Sequence, residues 1–230
     1  MKKIVVLTGA GVSAESGIKT FRDAGGLWEG HDVMKVASPQ GWQENMELVL
    51  DFYNQRRRQL RQVGPNAAHT SLVELEQRFE VSIITQNIDD LHERAGSKTI
   101  IHLHGELLKA RSTRDPRLIY EWPEDIKPGD TCELGSQLRP HIVWFGEAVP
   151  MIEVAAMETM TADAVIIIGT SMQVYPAAGL VGFAEKARQI YYVDPKPSIN
   201  YELSRAASLS VVAEPASTGV PKVVKELLGN

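Results

Sequence analysis

The sequence predicts an α/β protein built on a parallel β-sheet with helices on both faces. Three observations predict it. Short apolar runs rich in β-branched residues recur at 4–7, 81–85, 99–103, 164–168 and 189–193, and runs of that length without polar alternation suit strands buried on both faces. Helix-like stretches separate them, the signature of strands laid parallel. Small or polar residues follow most of the runs, at Gly9, Gln86, His104 and Gly169, where such sheets carry their ligands.

In chain order, the first strand ends at Thr8-Gly9, and a helix can begin within 10–16. Residues 44–62 are expected as a helix, with Met46, Val49, Leu50, Tyr53 and Leu60 as its apolar stripe. Pro65-Asn66 turns the chain into a second helix over about 67–80, with Leu72, Leu75 and Phe79 on one face. Two strands follow, at 81–85 and 99–103. Later come a helix at 151–161, a strand at 164–168, a helix at 177–187, a strand at 189–193, a weaker strand at 211–212 and a last helix at 221–228. Residues 112–140 break the pattern. They hold Pro116, Pro123, Pro128, Gly129, Gly135 and Pro140 among polar residues, and are expected as a loop-rich insert rather than sheet core.

The composition excludes several classes. With 43% hydrophobic and 23% charged residues among 230, the chain is an ordinary globular one. A net charge of -5 gives no electrostatic footprint for nucleic acid. Arg56-Arg57-Arg58 with Arg61 reads either as a solvated helix face or as a local anion site. No run approaches the ~20 apolar residues of a membrane span, and the apolar start of MKKIVVLTGAGV is too short for a secretory signal. A cytoplasmic setting is expected. The single cysteine, Cys132, excludes an intramolecular disulfide, a CxxC redox pair and an all-cysteine zinc site.

Chemistry gathers at the strand exits. Gly9, Gly11 and Ala14 form GxGxxA after a strand. This is the dinucleotide pattern, in which the glycines admit a diphosphate and the helix start offers free N–H groups; glycines needed only for a turn and packing would look the same. Phe21 and Arg22, before Gly25-Gly26, suit a loop that closes over a ligand and excludes water. Gln86, Asn87 and Asp89 can hold a carboxamide or ribose, or simply cap the next short helix. His102 and His104 alternate in IHLHGE and so share a strand face. His104 is exposed to ligand at the strand end, where a neutral imidazole can accept a hydroxyl proton; His102 is read as buried support. Gly169-Thr170-Ser171 suits phosphate or ribose oxygens, or an N-cap. HxH raises a metal question, but no further ligand stands at a usual spacing.

Taken together, GAGVSAESGI (9–18), FRDAGGLW (21–28), TQNIDDLHERAG (85–96), HLHGEL (102–107), RPHIVWFGE (139–147) and GTSMQVYPAAG (169–179) resemble the sirtuin family of NAD-dependent protein deacylases. The pieces stand in family order over nearly the whole chain. They are most similar to the bacterial class III branch, which also holds the desuccinylase type. The resemblance implies a Rossmann-like NAD-binding domain (1–27, 79–109 and 141–230). It implies a small domain from two insertions, helical at 28–78 and a loop-rich remnant at 110–140. The implied reaction consumes NAD and an acyl-lysine of a protein or peptide, giving nicotinamide, O-acyl-ADP-ribose and free lysine.

Site residues follow from the same resemblance. His104 corresponds to the general base, with Asn87 and Asp89 positioning ribose, carboxamide and water. Gln86, Gly9, Ala10, Gly11, Ala14, Phe21, Arg22, Gly169, Thr170, Ser171, Asp194 and Ala216 correspond to NAD contacts. Asp194 stands where most members have asparagine. Val143, Trp144, Phe145, Gly146 and Glu147 correspond to the segment that pairs with substrate backbone, with Val174 nearby. Ala37 leaves room for the acyl group. Tyr53 and Arg56, three apart on one helix face, match the Tyr-x-x-Arg pair of the subtype that removes succinyl and malonyl groups. A guanidinium can hold a distal carboxylate by two bonds and a phenol can add a third. Typical members carry four zinc-binding cysteines. Here Ser112 takes about the first place and only Cys132 remains, so no zinc is expected. The chain is expected to act as a monomer, with neither nucleic acid nor membrane as partner. ADP-ribosyl transfer, NAD hydrolysis and NAD binding without catalysis are the competing readings.

Overall fold

The computed structural model describes residues 1–19, 27–28 and 30–229, the side chain of Leu27 excepted. Phe21 and Arg22 lie outside the described residues. The chain runs β1 (Lys3–Thr8), α1 (Gly11–Ala14), β2 (Leu27–Trp28), β3 (His31–Asp32), α2 (Val33–Val36), α3 (Pro39–Glu44), α4 (Met46–Leu60), α5 (Ala67–Leu75), β4 (Glu80–Thr85), α6 (Leu91–Ala95) and β5 (Ile100–His102). It continues through β6 (Gly105–Ser112), β7 (Ile119–Glu121), β8 (Leu138–Ile142), α7 (Ile152–Met160), β9 (Ala164–Ile168), a 3-10 helix (Ala177–Phe183), β10 (Gln189–Val193), α8 (Tyr201–Ser204), β11 (Leu209–Val212) and α9 (Ala216–Leu228).

Six strands form one parallel sheet in the order β5-β4-β1-β9-β10-β11. The apolar runs are continuous because both faces are covered. Ile4 and Val6 of β1 pack with Leu72 and Leu75 of α5 and Val220 and Val224 of α9. Val5 and Leu7 face Ala155 of α7 and Leu180 and Val181 of the 3-10 helix. β1 pairs with β4 on one side and β9 on the other. The strand order reverses there, so a crevice opens beyond the carboxyl ends of β1 and β9.

A second layer rests over that crevice. Asn45 caps α4 by accepting from the Leu48 N–H at 3.0 Å. The helix then buries Val49, Phe52, Tyr53 and Leu60 against Leu107, Ile142 and Trp144. Residues 112–140 differ from the expected loops. β6 pairs antiparallel with β7 and β8 in a three-stranded sheet that begins at Gly105. The sheet is half solvated, so Lys109 and Arg111 interrupt its apolar pattern. Pro140 is tolerated because β8 is an edge strand, where a missing N–H need cost no ladder bond.

Other differences are local. α1 is one turn, Gly11–Ala14, and the chain turns away beyond it at Gly17, φ 97°. The helix expected to 80 stops at Leu75, after which turns deliver Glu80 to β4. The helix expected at 177–187 is a shorter 3-10 helix, Ala177–Phe183. α9 starts at Ala216 and carries Pro221 inside it. His104 lies beyond the end of β5, in the link to β6. Among the described residues, no helix is long and apolar enough to cross a membrane.

Candidate functional site

The exits of β1 and β9 touch. Gly9 N–H donates to the Ile168 carbonyl at 3.0 Å and Gly11 N–H to the Gly169 carbonyl at 2.8 Å. A Cβ on Gly11 would stand 2.5 Å from Gly169 Cα, and one on Gly9 would stand 2.8 Å from Gly169 O. The glycines are thus required by each other. The expected anion site at the start of α1 changes accordingly. Val12 and Ser13 N–H groups donate to Gly9 and Ala10 carbonyls, so those donors are spent inside the turn.

Beside this turn stands a buried polar cluster. Ser13 Oγ donates to Asp89 Oδ2 at 2.9 Å and accepts from Asn87 Nδ2 at 3.0 Å. Leu91 N–H reaches Asp89 Oδ1 at 3.2 Å. Burial pushes the Asp89 carboxyl upward, opposed by the bond from Ser13 and the Leu91 N–H. Asp89 does cap the following turn, and the same carboxylate faces the cleft. Ser13 escaped the sequence reading. It sits inside GAGVSA, but nothing in spacing reveals a contact with residues 74 and 76 positions away.

His104 is oriented by its own loop. Its Nδ1 lies 2.9 Å from the Gln86 carbonyl oxygen. A carbonyl only accepts, so Nδ1 carries the proton and the neutral ring keeps its lone pair on Nε2. Burial lowers the pKa below 6.5, partly offset by the Gln86 bond, which keeps the ring neutral at pH 7. Gln86 Nε2 in turn donates to Thr170 Oγ1 at 3.2 Å, joining the β4 and β9 exits.

The far wall comes from α4 and the end of β8. Tyr53 is fully buried, and its hydroxyl accepts from Trp144 Nε1 at 3.1 Å. Burial holds its pKa up, so it stays a phenol with a proton to give. Arg56 lies over the Phe52 ring, 3.5 Å from its centroid, and donates to the Phe52 carbonyl. The segment read as pairing with substrate backbone is partly committed. The N–H groups of Val143, Phe145 and Glu147 donate to His104, Ala37 and Trp144 carbonyls. Trp144 N–H donates to Glu147 Oε2 at 2.8 Å. The Glu147 carboxylate is itself bound by Arg139, at 2.7 and 3.1 Å, and by Arg111 at 3.2 Å. Glu147 is thus tied internally while it still lines the cleft.

Every site residue expected from the sequence, Phe21 and Arg22 aside, lines one cleft of about 720 Å³. His104, Asn87 and Asp89 lie along it with Ala37, Tyr53 and Arg56 as well as with Asp194, Ala216 and Val174. Ser13, Leu107 and Ile142 join them unforeseen. Asp194 is buried at the end of β10 and accepts from Lys196 N–H at 2.8 Å. A dinucleotide suits this donor set. Small residues line the strand exits, an amide and a hydroxyl bridge them, and acceptors stand at Asp89 and Asp194 for ribose hydroxyls. Among the described residues, no group of three or more His, Cys, Asp or Glu side chains is placed to hold a metal.

Comparison with known proteins agrees in one direction. The sequence profile of the Sir2 family matches residues 9–176. A Helicobacter pylori protein named NAD-dependent protein deacylase is 64% identical over 196 residues, covering 85% of this chain and 86% of that one. A Bacteroides thetaiotaomicron protein of the same name is 54% identical over 234 residues, covering 99% and 98%. Among solved structures, a Sir2 homologue in complex with NAD superposes with a TM-score of 0.88 at 38% identity, covering 99% of this chain and 90% of that one. Sir2 bound to acetylated peptide gives 0.80 at 29% identity, covering 99% and 93%.

Proposed function

This chain belongs to the Sir2 family, and from that premise we propose that it is an NAD-dependent protein-lysine deacylase that accepts succinyl and malonyl as well as acetyl groups. One observation carries the reading: His104 presents Nε2 to a cleft whose other wall holds Tyr53 and Arg56. The bound dinucleotide supplies an electrophilic ribose carbon and nicotinamide as leaving group. His104 takes a proton from a ribose hydroxyl at Nε2, its Nδ1–H held by the Gln86 carbonyl. Asn87 and Asp89, fixed through Ser13, orient the ribose and carboxamide. Gln86, Thr170, Ser171, Asp194 and Ala216 hold the rest of the dinucleotide, with Gly9, Ala10, Gly11 and Ala14 beneath it. Phe145 and Gly146 flank the acyl-lysine backbone, and apolar Leu107, Ile142 and Trp144 exclude water around its side chain. Tyr53 and Arg56 meet a distal carboxylate on the acyl group, and Ala37 leaves space for it.

A panel of acetyl-, succinyl- and malonyl-lysine peptides with NAD tests this directly. We expect turnover on all three. Arg56→Met is expected to lower kcat/KM for succinyl-lysine about a hundredfold, the size of a lost charge-assisted pair, and to change the acetyl value little. Equal losses on both substrates would remove Arg56 from acyl recognition. His104→Tyr is expected to abolish deacylation. Sustained product formation by that variant would make another group the base.

A further inference from the structure

His102 takes no part in the steps above, yet it stands directly behind them. Its Nδ1 lies 3.3 Å from the Asn87 carbonyl oxygen and its Nε2 lies 2.6 Å from Glu93 Oε1. A main-chain carbonyl only accepts, and so does an ionised carboxylate. A neutral imidazole has one N–H and satisfies one of them; the imidazolium satisfies both. His104 meets a single acceptor, the Gln86 carbonyl, through Nδ1. The two rings therefore stand against consecutive carbonyls, of Gln86 and Asn87, with one acceptor facing His104 and two facing His102.

We infer that His102 is a positioning residue for the ribose-handling loop. Its ion pair with Glu93 fixes the Asn87 main chain, and through it the Asn87 and Asp89 side chains, only while His102 holds its second proton. The kinetic part rests on the deacylase reading; the protonation part rests on geometry alone.

The surroundings agree. Burial opposes the His102 charge, but the Glu93 hydrogen bond and charge outweigh it, with Glu106 of β6 adding to them, and the pKa ends above 6.5. Burial likewise opposes ionisation of Glu93, and His102, with Lys109 of β6, overrides it. Asp89 and His92 also feel the His102 charge: burial pushes the Asp89 carboxyl upward and His102 opposes it slightly, while burial, then His69, then His102 hold His92 below its ordinary value. The sign follows. His102 is charged below its raised pKa and the brace is lost as pH rises through it. His104, with its lowered pKa, must be unprotonated, so its limb lies below 6.5. The two histidines set the two edges of one pH window.

The test uses the whole chain. Ring nitrogen NMR over a pH series, with no NAD present, is expected to show His102 keeping its second proton above 6.5 while His104 is already the neutral Nδ1–H tautomer there. Calorimetric binding of ADP-ribose is expected to weaken as His102 loses its proton. Glu93→Gln is expected to move the alkaline limb of kcat/KM for NAD down by about one pH unit, as for a lost ion-pair partner. The acid limb and the KM for acyl peptide stay as they are. Glu93→Asp, which keeps the charge, restores the limb. His102→Gln is expected to lower kcat/KM for NAD about tenfold and to abolish the alkaline limb. A His102 that loses its second proton below 6.5, or a wild-type alkaline limb in both Glu93→Gln and His102→Gln, would overturn the inference. An imidazolium His102 with pH-linked ADP-ribose binding but no deacylation would instead sink the proposed function alone.

Discussion

Gly169 shows how one missing methyl can serve a whole site. Its φ is 59°, and a Cβ there would lie 2.4 Å from Val12 N and 2.5 Å from the Gly11 carbonyl carbon. Gly129 also has a positive φ, 95°, but nothing lies within 4 Å of its would-be Cβ. Both positions carry the left-handed strain of about 1–2 kcal/mol for an alanine. Only Gly169 adds a clash with main chain that cannot move aside. Gly169→Ala is therefore expected to cost about 3 kcal/mol or more, against about 1 for Gly129→Ala, as read from denaturant midpoints. Equal losses would mean that the β1–β9 contact tolerates an extra carbon. From sequence, Gly9, Gly11 and Gly169 were legible as special positions. That two of them pack on the third was not, because periodicity says nothing of which strand exits become neighbours.

Among the elements, the end of β8 and the turn after it form a self-supporting clamp. Arg139 lies 3.3 Å from the centroid of the Trp144 ring while its guanidinium grips Glu147 and the Ile142 carbonyl. Glu147 accepts from Trp144 N–H, and the Trp144 indole donates to Tyr53. Burial pushes the Glu147 carboxyl up, but Arg139, helped by Trp144 N–H and Arg111, outweighs it and holds the pKa below its ordinary value. The clamp sets where the Tyr53 and Trp144 wall of the cleft stands. Glu147→Gln leaves the buried Arg139 without its counter-charge, and a stability loss of about 2 kcal/mol is expected, discounted because the carboxylate is partly exposed. KM for acyl-lysine should rise severalfold while KM for NAD holds; a rise in the NAD value instead would make Glu147 part of the dinucleotide site. The ion pairing of Glu147 is not legible in RPHIVWFGE, because a motif names a segment, not the direction of each side chain. The sequence reading missed the β6–β8 sheet for a related reason: a half-exposed strand with Lys109, Arg111 and a proline in its edge partner loses the apolar pattern that betrays a strand.

At the scale of the whole molecule, the parallel sheet was legible because doubly buried strands write themselves as apolar runs; β9 and β10 begin and end where the sequence places them. The second layer was legible only in α4, whose amphipathic spacing is local. Its β part is held by contacts between distant residues, and here the family resemblance raises a question that the geometry helps to answer. Typical relatives tie this region with four zinc-binding cysteines, whereas this chain has Cys132 alone. Around Cys132 lies a hydroxyl–thiol knot. Ser112 Oγ lies 2.9 Å from Ser136 Oγ, accepts from Cys132 Sγ at 3.3 Å, and accepts from the Arg114 and Asp115 N–H groups at 3.0 and 3.1 Å. The knot joins the end of β6 to the turn that leads into β8, over the cluster of Leu50, Ala110, Ile126 and Leu138. If hydrogen bonds do the work of the metal, chelation should change neither the melting temperature nor turnover. Ser112→Ala, which strips two backbone donors of their acceptor at a buried position, should cost about 1–3 kcal/mol and open residues 113–137 to proteolysis before the parallel sheet unfolds. Elemental analysis that finds one zinc per chain, or a melting temperature that falls on adding chelator, would return the region to the metal-tied form of its relatives.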